Sequence, residues 1–345
     1  MRLWNGWGNE DSDLTMELSD GLRALLEALV GPGTALSQAT LNEVIAKVPN
    51  SRLGDHPLIK TEPEIRVRHA RGQSLPDWLE MHSGNVDTFP DGVAFPESSE
   101  QVRELLAHAK ENNLIVIPYG GGTSVVGHIN PETTDKPVLT IDMAKMNSML
   151  SIDTESQLAT FGAGAPGPVV EEELKKYGYT LGHFPQSWEL STLGGWVASR
   201  SSGQQSLHYG RIENMFAGGT IETLNGTMKI PTIPASSAGP NVREMILGSE
   251  GRMGIITEVT VRITPLPEKE KFQVVFFPSW EIGISAAREL IQQRVALSMV
   301  RLSNPLETTS LLYMGAGSDS SGVVALELSL IHISEPTRRR GISYA

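Results

Sequence analysis

A short apolar run that ends directly in three glycines is the feature that most restricts what this chain can fold into. Ile115-Val116-Ile117-Pro118-Tyr119 has the length and composition of a buried strand, and Gly120-Gly121-Gly122-Thr123-Ser124 follows it without a spacer. Successive glycines allow backbone N–H groups to converge on an anion with no Cβ in the way, and the two hydroxyls add further donors. The segment therefore predicts a diphosphate site at the end of a buried strand, with a plain glycine-rich turn as the alternative.

The glycine loop differs from two common nucleotide-binding motifs. No Gly-Lys-Ser or Gly-Lys-Thr follows it, as the P-loop of NTPases requires, and its spacing is not the G-x-G-x-x-G of dinucleotide-binding folds. The formal charge of −12 also argues against a general nucleic-acid binder, whose affinity depends on basic surface. Local groups must therefore hold any anionic ligand against the field of the whole protein.

Composition restricts the remaining classes. The chain has no cysteine, which excludes disulfides, thiolate metal sites and cysteine nucleophiles and favours a reducing cytoplasm. Its carboxylates and histidines show no metal-ligand spacing, so no metal site is predicted. No apolar run approaches the roughly 18 residues that a membrane-spanning helix needs.

The pattern along the chain mixes helices and strands. Ser98 is predicted to cap a helix to Asn112, with Gln101 completing a capping box. Asn225-Gly226 predicts a type I′ hairpin turn between two strands. Residues Pro49 to Asn85, rich in Pro, Arg and His, are interpreted as a connecting arm, and Pro265-Leu266-Pro267 is predicted to be a domain boundary.

Two further segments combine glycines, hydroxyls and small residues in the same way as the glycine loop. They are Gln186-Ser187-Trp188-Glu189-Leu190-Ser191-Thr192-Leu193-Gly194-Gly195-Trp196-Val197-Ala198-Ser199-Arg200-Ser201-Ser202-Gly203 and Leu247-Gly248-Ser249-Glu250-Gly251-Arg252-Met253-Gly254-Ile255-Ile256-Thr257-Glu258. In order and spacing, the three segments resemble the FAD-binding domain of PCMH-type flavoproteins, the vanillyl-alcohol-oxidase superfamily. Trp4-Asn5-Gly6-Trp7-Gly8 and His69-Ala70-Arg71-Gly72 are most similar to the alkyldihydroxyacetonephosphate synthase branch and its bacterial FAD-binding oxidase relatives.

The resemblance implies an α+β fold: a two-subdomain PCMH-type FAD-binding domain followed by a truncated α/β cap domain. It implies four groups of FAD contacts, in which the glycine loop holds the diphosphate, the middle two groups line the flavin and its ribityl chain, and the last group flanks the adenine end or the ring. The residues are Pro118, Tyr119, Gly120, Gly121, Gly122, Thr123 and Ser124; Gln186, Ser187, Trp188, Glu189, Leu190, Ser191 and Thr192; Ser199, Arg200, Ser201 and Ser202; and Glu250, Gly251, Arg252, Met253, Gly254, Ile255 and Ile256. Some relatives bind FAD covalently through a His in the first loop. Here Thr123 and Ser124 occupy that region and His128 lies beyond it, so the FAD is predicted to be non-covalent.

For the reaction, the resemblance implies exchange of an acyl chain for a fatty alcohol through flavin N5, as in the synthase. Oxidation of D-2-hydroxy acids such as lactate or glycolate is the alternative, and an inactive flavin-binding fragment is a third. Arg301 matches a synthase arginine near the substrate phosphate, with a solvated surface arginine as the alternative. Ala235 stands where the synthase has another arginine, which leaves the substrate open. His183 and His208 lie near the flavin segments and are interpreted as structural histidines.

The domain prediction has four parts: 1–84, an N-terminal helical region and arm; 85–267, the FAD-binding domain; 268–328, the start of the cap; and 329–345, a tail. The tail resembles a translated sequencing adapter, with an ordinary strand from Leu328 to Ile333 as the alternative. The catalytic Tyr and His cluster of the synthase is then expected beyond Leu328. The resemblance is also compatible with a small-molecule or lipid-like substrate, a homodimer, peripheral contact with a membrane, and no nucleic-acid partner.

Overall fold

The fold is that of a computed structural model, which describes residues 2–10, 18–315 and 329–337. Its helices are α1 (Asp20–Val30), α2 (Leu41–Ile45), α3 (Pro63–Arg68), α4 (Leu75–Ser83), α5 (Ser99–Glu111), α6 (Gly167–Lys175), α7 (Leu193–Ser199), α8 (Ser206–Tyr209), α9 (Ile212–Met215), α10 (Val242–Ile246), α11 (Trp280–Gln292) and α12 (Pro305–Gly315). Its strands are β1 (Ile59–Lys60), β2 (Gly92–Ala94), β3 (Ile115–Tyr119), β4 (Val138–Asp142), β5 (Met149–Asp153), β6 (Leu158–Gly162), β7 (Tyr179–Thr180), β8 (Phe216–Thr223), β9 (Gly226–Ile230), β10 (Ile255–Arg262), β11 (Thr264–Pro265), β12 (Lys269–Phe277), β13 (Met299–Ser303) and β14 (Ser329–Thr337).

The described residues divide into two compact units. The first contains residues 2–10, 36–204 and 209–266, and the second contains residues 18–35, 205–208, 267–315 and 329–337. Segments from both ends of the chain therefore belong to the second unit. The predicted domain division places α1 in an N-terminal region with the arm, and that division stays a prediction.

Two sheets form the first unit. The smaller one has the strand order β1-β2-β4-β3, in which β2, β4 and β3 are parallel and β1 is antiparallel to β2. The larger one is antiparallel throughout, with the order β5-β6-β10-β8-β9. Strand β3 leads into the glycine loop, and strand β10 begins at the end of the third predicted segment. The sheets therefore bring segments distant in sequence to neighbouring positions.

Three apolar clusters stabilise the first unit. The largest packs α6 and α7 on the five-stranded sheet around Phe161, Phe216 and Val259, all fully buried. A second packs the apolar face of α5 on β4, where Leu105 and Leu139 are both fully buried. Each such side chain contributes about 1.5–3 kcal/mol through removal of its apolar surface from water. The two sheets of the first unit, one of which carries the glycine loop at the end of β3, are thus both well packed.

The third cluster corrects the interpretation of Pro49 to Asn85 as a connecting arm. Helices α3 and α4 lie in this stretch and pack with α2 around Val44, Val67 and Met81. The fully buried Arg66 donates from Nε to the carbonyl of Pro90 at 2.6 Å and from Nη1 to that of Pro49 at 2.7 Å. These two bonds tie the stretch to its own flanks, so it is a folded part of the first unit.

Two turn details also differ from the prediction. The hairpin of β8 and β9 pairs Thr223 with Gly226, so Leu224 and Asn225 form its loop, and neither has positive φ. A type I′ turn would need positive φ at both, which a leucine disfavours; Gly226, at φ +123°, takes the left-handed conformation instead. Ser98 caps α5 by accepting from the N–H of Gln101, but the Gln101 side chain accepts from Glu97, so no capping box forms.

The second unit contains a three-stranded antiparallel sheet in the order β12-β14-β13. Its middle strand, β14, consists of residues predicted to be a foreign tail. Backbone pairing does not depend on where a segment originates, so the foreign origin stays a prediction, and the strand agrees with the alternative. Residues 316–328 and 338–345, which include the end of the predicted cap and of the tail, lie outside the described residues.

Candidate cofactor site

The glycine loop packs directly on the second predicted segment. A Cβ on Gly121 would lie 1.9 Å from the carbonyl oxygen of Leu190, and one on Gly120 would lie 2.4 Å from Thr192 Oγ1. Both distances are far below van der Waals contact, so only glycine permits this approach. Thr192 also caps α7 by accepting from the N–H of Gly195 at 3.3 Å. The loop is therefore fitted against the N-terminus of α7.

The third segment packs against the start of the same loop. Gly251, at φ +83°, lies where a Cβ would be 2.7 Å from Pro118 Cγ. The preceding residue, Glu250, also has positive φ, at +50°. Two consecutive left-handed residues reverse the chain before β10 begins at Ile255. This reversal places Gly251, just before β10, against Pro118 near the end of β3.

The three segments enclose a cavity of about 330 Å³ in the first unit. Its lining includes these predicted residues: Pro118, Tyr119, Gly120, Gly121, Gly122, Thr123, Ser124, Ser187, Ser191, Thr192, Ser199, Ser201, Glu250, Gly251, Gly254, Ile255 and Ile256. A second cavity of about 490 Å³ shares Thr123, Val125 and Ser187 with the first and adds the predicted Gln186 and Ser202. Residues from all four predicted groups thus meet at these two cavities.

Six predicted residues line neither cavity: Trp188, Glu189, Leu190, Arg200, Arg252 and Met253. Trp188 packs on Gly167 of α6, where a Cβ would lie 2.4 Å from the indole ring. Arg200 is engaged by two carboxylates, Glu213 at 2.5 Å and Glu244 at 2.6 Å. Ion pairing therefore accounts for the Arg200 side chain, and packing accounts for the Trp188 ring, whose buried Nε1 donates to no partner among the described residues.

Several residues of the cavity were not among the predicted contacts. They are Val125, Val126, His128, Ile129, Met143, Ala163, Gly194, Gly195, Trp196 and Ala198 in the first cavity, and Trp7 and Gln73 in the second. His128 Nδ1 lies 3.3 Å from Ser124 Oγ, so the chain turns back toward the loop after Val126. The small residues of α7 indicated close approach of the backbone to some other group, and Gly194 and Gly195 line the cavity although neither was among the predicted contacts.

Arg301, the predicted substrate contact, lies on β13 in the second unit. Its side chain is half-exposed and forms an ion pair with Glu307 of the same unit. This exposure and this ion pair agree with the alternative of a solvated surface arginine. A role in substrate binding stays a prediction.

Burial shifts two titratable groups near the cavity. It raises the pKa of Tyr119 to about 12, while the positive charge of Arg2 opposes the rise. It lowers the pKa of His183 to about 4, so His183 is neutral near pH 7. The Nε2 atom of His183 lies 2.7 Å from Ser201 Oγ, and its Nδ1 atom has no partner among the described residues. The structural role predicted for His183 is therefore tied to a serine of the cavity wall.

The loop offers donors that suit a diphosphate. Within the described part of the chain, the backbone N–H groups of Gly121, Gly122, Thr123 and Ser124 donate no hydrogen bond. Gly122 is buried, and its φ of +62° is accessible chiefly to glycine. Donors that the protein itself leaves unpaired are available to an anion that enters the cavity. The residues present therefore fit the diphosphate of a dinucleotide such as FAD.

Among the described residues, no helix has the length and apolar character needed to cross a bilayer. No group of acidic or histidine side chains there could hold a metal ion.

Comparisons with known proteins identify an FAD-binding family. The profile of a family described as FAD binding domain matches residues 90–230. Alkyldihydroxyacetonephosphate synthase of Dictyostelium discoideum is 38% identical over 250 residues, covering 72% of this chain and 41% of the relative. The mitochondrial D-lactate dehydrogenase [cytochrome] 1 of Saccharomyces cerevisiae is 31% identical over 243 residues, covering 67% of this chain and 41% of the relative. The chain thus spans well under two thirds of the length of either curated relative.

A solved structure of alkyldihydroxyacetonephosphate synthase superposes with a TM-score of 0.85 at 28% identity, covering 98% of this chain and 70% of the other. This match confirms the predicted α+β, PCMH-type FAD-binding fold, and the family match confirms FAD as the cofactor. With the glycine loop, its unpaired donors and these similarities in agreement, the chain contains an FAD-binding domain of the PCMH-type flavoprotein family.

Proposed function

We propose that this chain is the FAD-binding part of an enzyme of the alkyldihydroxyacetonephosphate synthase type, which exchanges an acyl chain for a fatty alcohol. The observation that carries the proposal is the 38% identity to a synthase over 250 residues, together with a fold match over nearly the whole chain. The bound FAD supplies the reactive flavin ring, and the protein supplies binding and orientation.

In this proposal the cavity residues divide the cofactor between them. The glycine loop binds the diphosphate, whose oxygens accept hydrogen bonds from the N–H groups of residues 121–124 and from the hydroxyls of Thr123 and Ser124. The serines that line the cavity after Gln186 contact the flavin and ribityl chain, and Glu250 to Ile256 flank the adenine end or ring. Arg301 holds the phosphate of a lipid-like substrate through charge-assisted hydrogen bonds. The catalytic Tyr and His cluster is expected beyond Leu328.

A second candidate is oxidation of D-2-hydroxy acids. It is favoured by the 31% identity to a D-lactate dehydrogenase and by Ala235, which stands where the synthase has an arginine. The two candidates differ in redox outcome, since oxidation of the acid would leave the flavin reduced.

Anaerobic substrate addition to the FAD-loaded chain distinguishes the candidates. We expect an acyl-dihydroxyacetonephosphate to perturb the flavin absorbance, Arg301→Met to weaken that perturbation, and Arg23→Met on the exposed face of α1 to leave it unchanged. D-lactate should leave the flavin oxidised. Bleaching by D-lactate would favour the second candidate. A flavin that responds to neither substrate would indicate an inactive flavin-binding fragment, and a protein that releases no flavin on boiling would contradict both.

The FAD is proposed to be bound non-covalently. Thr123 and Ser124 cannot form the covalent histidyl link of some relatives, but His128 lines the same cavity and provides the sharper test. Acid precipitation should leave the flavin in the supernatant. Flavin that stays in the pellet, and is released from it in His128→Ala, would contradict this part of the proposal.

The proposal extends to surroundings and assembly. A chain without cysteine suits the cytoplasm, where disulfides are rare. A homodimer is a further proposal, and so is peripheral contact with a membrane, which the lipid-like substrate of the synthase type supports. Size-exclusion chromatography with light scattering and vesicle sedimentation test the two separately.

A further inference from the structure

A hairpin at the N-terminal end of the described chain contacts the glycine loop. Arg2 pairs with Asn9 in an antiparallel bridge, and the N–H of Leu3 donates to the carbonyl of Gly8 at 3.0 Å. Trp4 packs against the cluster formed by α2, α3 and α4. This hairpin, residues 2–9, is therefore attached to the core of the first unit.

A single arginine of α3 fixes the backbone of the hairpin at Arg2. Arg68 Nη1 donates to the carbonyl of Arg2 at 2.7 Å, and its Nη2 pairs with Glu10 at 3.1 Å and Glu64 at 2.9 Å. Three acceptors hold one guanidinium, and through it the carbonyl of Arg2. The Arg2 side chain thus extends from a defined position.

The Arg2 side chain ends on the middle of the glycine loop. Its Nη1 donates to the carbonyl oxygen of Gly121, across 119 residues of sequence. In the part of the chain that the structure describes, the Arg2 guanidinium forms no ion pair with a carboxylate. Arg2 itself is not among the residues that line the cavity, whereas Gly121 and Gly122 are. It therefore reaches the loop from outside the cavity.

The planarity of the peptide group links this contact to the cavity. The carbonyl of Gly121 and the N–H of Gly122 belong to one planar, trans peptide, so they point in opposite directions. A carbonyl held toward Arg2 directs the N–H of Gly122 away from Arg2. That N–H donates to no acceptor among the described residues, and Gly122 lines the cavity. The contact outside the cavity thus sets the direction of a donor inside it.

Electrostatics reinforce the geometry. The chain has a formal charge of −12, which opposes the binding of a doubly charged diphosphate. A guanidinium at the carbonyl end of a peptide polarises it and strengthens its N–H as a donor, and the charge itself raises the local potential at short range. Neutral donors alone would lack this second contribution.

We propose that Arg2 is a positioning residue of the cofactor site: it holds the Gly121–Gly122 peptide with its N–H toward the cofactor diphosphate and contributes the positive charge behind it. The inference rests on the proposed placement of the diphosphate at the glycine loop. It extends the cofactor site to the hairpin of residues 2–9, which none of the predicted FAD contacts includes.

Flavin titrations of three Arg2 variants test the proposal. Arg2→Met removes both donor and charge, Arg2→Gln keeps a donor without charge, and Arg2→Lys keeps the charge on a single ammonium. We expect FAD affinity to fall by about ten- to a hundredfold in Arg2→Met, by less in Arg2→Gln, and least in Arg2→Lys. Arg23→Met, on the exposed surface of α1, is the matched control and should bind FAD like the parent.

Riboflavin, which lacks the diphosphate, separates positioning from a general structural role. Its affinity, measured by direct titration or by competition with FAD, should be the same in the parent and in all three variants. Equal loss of FAD and riboflavin affinity, or a lowered melting temperature of the cofactor-free variants in proportion to the loss, would overturn the proposal.

Thr123→Val separates this inference from the placement on which it rests. Loss of FAD affinity in Thr123→Val but in none of the Arg2 variants would refute the role of Arg2 and keep the diphosphate at the loop. Unchanged FAD affinity in all four variants would refute both.

Discussion

At the scale of single residues, the glycine loop owes its shape to what surrounds each missing side chain. Gly121 faces the carbonyl of Leu190, Gly122 faces the hydroxyl of Tyr119, and both distances for an added Cβ are 2.0 Å or less. The first neighbour is backbone, which cannot rotate away. Gly121 is therefore the position where a small change should have the largest local effect.

We expect Gly121→Ala to reduce FAD affinity by at least about tenfold, because the new methyl group must push the loop away from Leu190 and rotate the donors that follow it. Isothermal titration with FAD measures this loss. Gly54→Ala is the control, since Gly54 has no heavy atom within 4 Å of an added Cβ. Equal affinities for the two variants would show that the loop does not contact the cofactor.

His183 should make stability depend on pH. Burial lowers its pKa from 6.5 to about 4, so the folded protein binds this proton more weakly than the unfolded chain does. The contribution of His183 to the free energy of unfolding is complete above pH 6.5 and is lost as the pH falls from 6.5 toward 4. Between pH 8 and pH 5 the loss is about 2 kcal/mol.

Urea unfolding of the parent and of His183→Gln at pH 8 and pH 5 checks this expectation. Glutamine can keep a hydrogen bond to Ser201 but does not titrate, so the variant should lose about 2 kcal/mol less than the parent over this interval. The same loss in both proteins would assign the pH dependence to other groups.

Sequence reasoning could find those site residues whose local chemistry is itself a signal. Three glycines followed by Thr123 and Ser124 indicate anion binding wherever they occur. Arg2 carries no such signal, because its partner lies 119 residues away and only the folded hairpin brings them together. The sequence pattern placed His128 beyond the loop. It could not show that the chain returns toward the loop after Val126, because that return depends on tertiary packing.

At the scale of elements, the two ends of α4 carry sequence signals for a helix, which the interpretation of Pro49 to Asn85 as a connecting arm overlooked. Ser74 and Asp77 form a reciprocal capping box at the start of α4, and Gly84 ends that helix at φ +69°. Both are recognised sequence signals for a helix. The many Pro, Arg and His residues of the stretch obscured these signals. Pro63 and Pro76 lie in the first turns of α3 and α4, and the buried Arg66 donates to two backbone carbonyls.

Helix α7 connects capping to cofactor binding. Thr192 accepts from the N–H of Gly195, and the first turn of α7 lines the cavity through Gly194 and Gly195. We expect Thr192→Val to lower the free energy of unfolding by about 1 kcal/mol, because the cap is lost while the side-chain volume stays. FAD affinity should fall as well, since the first turn frays beside the loop.

Thr192→Ser retains the capping hydroxyl and should keep the stability within about 0.5 kcal/mol of the parent. Urea unfolding and FAD titration of both variants provide the comparison. A serine variant as weak as the valine variant would indicate that packing of the methyl group contributes as much at this position as the cap does.

At the scale of the whole molecule, the division into two units was only partly accessible from sequence. Nothing in the sequence pattern gives a reason to group α1 with α11, since more than 200 positions of the chain separate the two helices. The sequence of the first unit was more informative because its three glycine-containing segments share one ligand. Their common chemistry indicated a common location before any contact was known.

Binding of FAD should stabilise the first unit from this common location outward. A ligand at 1,000 times its dissociation constant contributes about 4 kcal/mol to the folded state. Hydrogen exchange at short times should therefore show increased protection in residues 119–126, 187–201 and 250–256, whose N–H groups or neighbours line the cavity. The edge strands β5 and β9 line no part of it and are the internal control. Protection that rises in β5 and β9 as much as in the loop would place the cofactor elsewhere in the first unit, because a ligand that contacts the loop must slow exchange there first.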